Sequence, residues 1–419
     1  MISRNACYWI WITLSIGYNN PKVKRISEMY SDVSAFYYGG ISEWRLCGIF
    51  SQKDIERFSS TGLDDAKKIV DRCIECNYSI LCIDDELFPK CLYNIECPPA
   101  LIYVNGVMPD IDNTFSIGIV GTRRATKYGI ENSYRFAYAL SKYGTIIVSG
   151  GALGVDGASH RGALATDGIT ICVRGCGLNC SYLRENSDIR STIPKRGAVI
   201  TEYPPDETPR NYYFPARNRI IAALSDGLLV MEAGKKSGSL ITANLAAEQG
   251  KTIFALLGNN SPQNEGSNAL IKEGLAIPVT DFMDILCEFD SLYATTDDEF
   301  DIDNISLADT GNFPVKGIRK QAPARIYVNK QNDQHPAKTA VPYVSEKSET
   351  VVPKPVHKEN LNLPKTAQDV YEYIGNEPVH IDKISADLKI PVFKVLTALT
   401  MLEMKDLVSA LQGRNYILK

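Results

Sequence analysis

"TIIVSGGALGVDGASHRGAL" (residues 145–164) carries an apolar run into a glycine cluster and then into a segment of helical composition. Five glycines fall within the sixteen residues that start at Ser149. At a strand-to-helix junction such glycines let backbone amides approach an anion. Three anions are candidates: a nucleotide, a cofactor, or the phosphates of a nucleic acid.

Around this stretch lie further short runs: "FSIGIVG" (115–121), "TICVRGC" (170–176), "GAVITEY" (197–203), "GLLVMEA" (227–233) and "TIFALLG" (252–258). Each is apolar almost throughout, as a strand buried on both faces should be, and helix-length stretches separate most of them. The fold class is therefore α/β, a doubly wound, mostly parallel sheet, with its ligand site expected beyond the carboxyl ends of the strands.

The chain's 419 residues exceed one compact core and predict two or three domains. Residues 1–110 show helical spacing, with Ser42 and Ser51 placed as helix caps, and close on a proline-broken stretch containing the short strand "ALIYVNG". Residues 111–287 carry the sheet. Residues 288–362 are first acidic, then polar and aperiodic, which predicts a flexible linker. Residues 363–419 read as three short helices, the last reaching Leu411, and a terminal strand, the pattern of a winged helix.

A net charge of -4 argues against a uniformly basic nucleic-acid coat but allows a local basic groove. The eleven cysteines are odd in number and mostly dispersed, so reduced thiols are expected, and the lone C-x-x-C at Cys73 and Cys76 has no second ligand pair for zinc. The apolar start is short, rich in tryptophan and followed by no cleavage pattern; it reads as a first helix. No run reaches the ~20 apolar residues of a membrane span, so a cytoplasmic protein without membrane contact is expected.

Three loops carry the chemistry. The first strand ends in "GIVGTRRATKYG", which lacks the G-x-G-x-x-G of a dinucleotide site and offers Thr122, Arg123, Arg124 and Lys127 instead. Arginine beside exposed amides suits a phosphate. The second strand ends in Ser149, Gly150 and Gly151. Asp156 and His160, four apart on one helical face, are read as structural because no nucleophile is evident for them to serve. In "NYYFPARNRIIAALS" the cations Arg217 and Arg219, with Asn218 between them, follow Tyr212, Tyr213 and Phe214; cations interleaved with aromatic faces suit an unpaired strand, with Phe214 expected to be exposed. Finally Ser237, Gly238 and Ser239 open a helix beside Lys235 and Lys236.

Taken together, "SGGALGVDGASHRGAL", "FPARNRIIAALS" and "SGSLITA" resemble the bacterial DNA-processing protein A family, also called Smf. The likeness runs through "GTRRATKYG", "TEYPP" and "GSNALIKEG" and covers roughly residues 85–287. It implies an extended Rossmann-like protein without catalytic activity, cofactor or metal, flanked by a SAM-like helical domain and a winged helix. It further implies binding of single-stranded DNA, usually as a homodimer, and help in loading the RecA recombinase onto strands coated by single-strand-binding protein, notably in natural transformation. By motif position the family's DNA contacts fall on Arg123, on Ser149 to Gly151, and on Phe214 to Arg219. Leu183 in "SYLREN" stands where the family commonly shows proline, which predicts a different course for that loop, and "SIGYNNP" replaces the family's glycine-rich hairpin.

The alternative is a Rossmann-type nucleotide-binding enzyme. Nucleoside-monophosphate glycosidases place P-G-G-x-G-T-x-x-E after a late strand, and "EAGKKSGSLITA" lacks both the paired glycines and the glutamate. In the winged helix, Lys383, Lys389, Lys394 and Lys405 are offset by many acids, so protein contact or packing is expected there rather than duplex reading.

Overall fold

The computed structural model describes residues 1–289 and, toward the C-terminus, residues 365–375, 379–388, 390, 395, 398–399, 401–402, 405, 407–411 and 415–418. Residues up to 289 pack as one unit, and those from 365 onward as a second. The expected linker falls almost wholly on residues outside those described.

Helical spacing in the first segment resolves into α1 (Ala6–Ile16), α2 (Lys22–Met29), α3 (Val33–Leu46), α4 (Gln52–Ser60) and α5 (Leu63–Glu75). The tryptophan-rich start is α1. Trp9, Ile10, Trp11 and Ile12 are all fully buried there, and the Trp11 ring meets Phe36, Trp44 and Phe58. Ser51 caps α4 in a complete capping box with Asp54. Ser42 caps nothing, because α3 starts earlier: Asp32 accepts from the Ser34 N–H at 2.9 Å, and the irregularity near Ser42 is a kink at Gly40.

The last long helix of this segment ends at Glu75. β1 (Ser79–Cys82), the short α6 (Lys90–Tyr93) and β2 (Leu101–Gly106), the expected strand "ALIYVNG", follow, and both strands join the sheet. The remaining elements alternate as expected: β3 (Ser116–Val120), α7 (Lys127–Lys142), β4 (Ile146–Ser149), α8 (Val155–Ala165), β5 (Thr170–Val173), α9 (Ser187–Thr192), β6 (Ala198–Thr201), α10 (Tyr213–Ala223), β7 (Gly227–Val230), α11 (Gly238–Glu248), β8 (Thr252–Leu256), α12 (Glu265–Lys272), β9 (Ile277–Val279) and α13 (Met283–Glu288).

The nine strands lie in the order β1-β2-β6-β5-β4-β3-β7-β8-β9. From β6 to β9 every pairing is parallel, while β2 runs antiparallel to both its neighbours. The chain leaves β3 for one side through β4, β5 and β6, then returns to lay β7, β8 and β9 on the other. The topological switch therefore lies between β3 and β7, where two connecting loops part and open a crevice at the carboxyl ends.

In the second unit α14 (Lys365–Tyr373) and α15 (Ile381–Leu388) pack with a three-stranded sheet of order β10-β12-β11: β10 (Val379–His380), β11 (Val408–Leu411) and β12 (Asn415–Leu418). β11 corrects the expectation of a helix reaching Leu411. Val408 is buried and pairs opposite Leu418, so cross-strand packing overrides local helix preference.

Candidate nucleic-acid interface

The crevice at the switch point is a cleft of ≈ 540 Å³. The loop after β3 brings Thr122, Arg123 and Arg124; α10 brings Phe214, Arg217 and Asn218; and the start of α11 brings Ser237, Gly238 and Ser239. Loops separated by more than a hundred residues thus converge because β3 and β7 are neighbours in the sheet.

Arg123 is exposed, and among the described residues it forms no ion pair. Its guanidinium lies 5.3 Å from the centroid of the Phe214 ring and donates from Nη1 to the Tyr182 hydroxyl at 3.3 Å. Tyr182 lies 5.3 Å from Phe214, ring to ring, so a cation and two aromatic faces share one wall. Phe214 is half-buried beneath them. The freely exposed ring is Tyr212, at 61%.

Arg217 belongs to the floor. It is 5% exposed, donates to the Gly150 carbonyl at 2.8 Å and also bonds the Val173 carbonyl. Asp156 stands beside it and accepts from the Ala152 N–H at 3.2 Å. Burial pushes the Asp156 carboxyl up and the Arg217 guanidinium down, each opposed by the other's charge. Gly150 is required at this point, since a Cβ would come 2.6 Å from Arg217 Nη2 and 2.7 Å from Asp156 Oδ2. With Gly151 it lines a small recess adjoining the cleft.

On the far wall Ser237 caps α11, its side chain accepting from the Ser239 N–H. Gly238 is exposed, and Lys236 stands exposed on the approach. The positive end of an eleven-residue helix thus faces the arginine loop across the cleft.

Not every expected residue joins. Lys127 is exposed on α7 and lies 3.6 Å from Glu131, outside the cleft lining. Ser149 is fully buried, and its hydroxyl donates to the Ile119 carbonyl at 2.7 Å. Arg219 faces away from the cleft. It is 5% exposed and donates to Glu202 at 2.7 Å and to the Cys97 carbonyl at 2.9 Å. Tyr182, which sequence reasoning passed over, is the residue gained. Its signal was available: an aromatic in the loop that leaves β5 at the carboxyl edge. The next residue, Leu183, adopts φ 59°, a backbone conformation that a proline ring excludes.

His160 is fully buried. The Thr170 hydroxyl donates to the Ile147 carbonyl, so it accepts from His160 Nδ1 at 2.8 Å and leaves Nε2 as a bare lone pair without a partner. Burial, with Arg161 and Arg217 adding repulsion, lowers its pKa to about 3. The folded value lies below the unfolded one, so the unfolded chain takes up the proton first and stability falls as pH drops below about 6.5. Relative to a His160→Asn variant, the wild type is expected to lose about 2 kcal/mol between pH 7 and pH 5. Denaturant titrations at the two pH values check this; parallel losses in both proteins refute it.

The model of the DNA recombination-mediator protein A family matches residues 79–290, half of the chain and all of the sheet from β1 to β9. The chain belongs to that family. The family's winged-helix domain matches residues 354–414, which makes the second unit a winged helix. Protein Smf of Escherichia coli is 39% identical over 50% of this chain, and the chain spans 56% of that protein's length. Protein Smf of Synechocystis is 32% identical over 81% of this chain and 80% of its own. The X-ray structure of DNA processing protein A from Streptococcus pneumoniae superposes with TM-score 0.60 and 31% identity, covering 69% of this chain and 99% of that one. In this chain the arginine loop and Phe214 of α10 sit at the switch-point cleft, and the glycine turn lines the recess adjoining it. Among the described residues no helix is long and apolar enough to cross a membrane.

Proposed function

We propose that the cleft holds single-stranded DNA by its phosphates and one or two bases, without regard to sequence and without covalent chemistry. The observation that carries this reading is Arg123: exposed, in no ion pair among the described residues, and poised over Phe214. A guanidinium serves a phosphate while the ring beneath it serves a base, the two contacts an unpaired strand offers together. The α11 N-terminus on the opposite wall supplies a second anion-favouring element. Asp156 and His160 are engaged in the fold, which supports a binding role rather than catalysis.

On this reading Thr122, Arg123, Arg124, Phe214, Tyr182 and Ser237 to Ser239 touch the strand, and Gly150, Gly151 and Arg217 shape the floor. Family membership supports the wider role: a homodimeric cytoplasmic mediator that helps load RecA onto strands coated by single-strand-binding protein, in transformation or another recombination route. Fluorescence anisotropy with labelled single-stranded and duplex oligonucleotides tests the core of it. Single strands should bind more tightly, with log affinity falling by about 0.7 per phosphate neutralised as log salt rises. Equal affinity for duplex, or affinity indifferent to salt, would remove the proposal; release of base from nucleoside monophosphates would favour the glycosidase alternative.

A further inference from the structure

The unit β3–turn–α7 is where a dinucleotide fold holds a pyrophosphate, against the N-terminus of the helix. In this protein a side chain already stands there. Glu232, two residues beyond β7, is 1% exposed and turns its carboxylate onto the first turn of α7. The Thr126 N–H donates to Oε2 at 2.8 Å and the Thr126 hydroxyl donates to Oε1 at 2.6 Å.

The surroundings are shaped to this carboxylate. Gly129, in the first turn of α7, has no room for a side chain, because a Cβ would stand 2.3 Å from Glu232 Oε2. The Glu232 carbonyl accepts from the Thr122 N–H at 2.7 Å, which ties the loop after β7 to the loop after β3. A buried anion at the positive end of a sixteen-residue helix satisfies the field that would otherwise draw a phosphate, and repels a second anion.

We infer that Glu232 is a built-in anion that closes the α7 N-terminus to nucleotide phosphates, so that the switch-point crevice accepts phosphate only along the Arg123–Ser237 rim. Glu232 thereby sets ligand class: a polynucleotide laid across the rim is admitted, and a mononucleotide diphosphate seated at the helix is refused. The refusal stands whether or not the strand-binding reading does, since it concerns a different helix end.

The test uses the full chain with ADP and inorganic pyrophosphate as probes, read by isothermal titration and by thermal shift. The wild type should show no saturable binding and no rise in melting temperature up to about 1 mM ADP. Glu232→Ala should bind both probes at least tenfold more tightly than the wild type. Glu232→Ser, which leaves a hydroxyl for Thr126, carries the same expectation should the alanine variant fail to fold. Wild-type protein that is stabilised by ADP in this range overturns the inference without any variant. So does a folded variant, verified by circular dichroism, whose affinity for ADP and pyrophosphate is unchanged. Loss of single-strand binding by the wild type would instead count against the proposed function and leave the role of Glu232 standing.

Discussion

Arg219→Ala is expected to cost about 3–5 kcal/mol of stability, because it strands the Glu202 carboxylate in the interior. Glu202 is 2% exposed, its Oε1 is held by Arg219 Nη2, and its Oε2 already lacks a partner. Removing the guanidinium also removes the bond to the Cys97 carbonyl that fastens the segment leading into β2. All three tryptophans, Trp9, Trp11 and Trp44, lie in the first unit, so denaturation followed by their fluorescence reports on the unit that contains the pair. The double replacement Arg219→Met with Glu202→Leu should recover most of the loss, since it removes both charges and leaves apolar volume behind. DNA affinity per folded molecule, and its salt slope, should match the wild type in both variants. A reduced slope would return Arg219 to the set of phosphate contacts.

That expectation reverses a reading of "FPARNR" that treated its cations as one patch, and the reversal is a matter of helix geometry. Successive residues turn by about 100°, so positions two apart point to nearly opposite sides, whereas those three or four apart share a face. Phe214, Arg217 and Asn218 accordingly line the cleft, while Arg219 lines a separate cavity behind α10 with Cys97 and Gln249. The periodicity was present in the chain. What composition alone could not separate was a cation that faces the cleft from one that neutralises a buried acid, because Glu202 lies seventeen residues away and meets Arg219 only once β6 and α10 are packed.

The same distinction explains which strands were legible. The six apolar runs became β3 to β8 because parallel strands covered on both faces need side chains that are apolar throughout. β9 contains Pro278 and pairs only with β8; an edge strand tolerates the missing donor and carries too weak a pattern to be read. β1 is likewise the outermost strand: it pairs with β2, and its other side is met by an isolated bridge between Ile2 and Ile80. Glu232 was legible as a residue and not as a role, since its partner Thr126 lies 106 positions earlier and is reached only across the switch point.

Arg123→Ala is expected to weaken single-strand binding by about 1.5–3 kcal/mol, the range for a hydrogen bond to a charged group, or roughly ten- to a hundredfold. The loss should be alike for all sequences, and the salt slope should fall by about 0.7, the share of one phosphate on a single strand. Stability should change little, because Arg123 is exposed and its partner within the chain is a tyrosine hydroxyl at 3.3 Å. Phe214→Ala should cost about 1–3 kcal/mol of affinity through lost base stacking, with the salt slope intact. The two losses should not add: Arg123 lies over the Phe214 ring, so each substitution disturbs the setting of the other, and a double-mutant cycle should return a coupling of about 0.5 kcal/mol or more. Arg123→Lys should restore the slope but only part of the affinity, since an ammonium keeps the charge and loses the planar fork. Anisotropy across a salt series reads all four variants. An Arg123→Ala protein with wild-type affinity and slope would mean that the guanidinium faces no phosphate, and the strand would then have to follow the α11 wall alone.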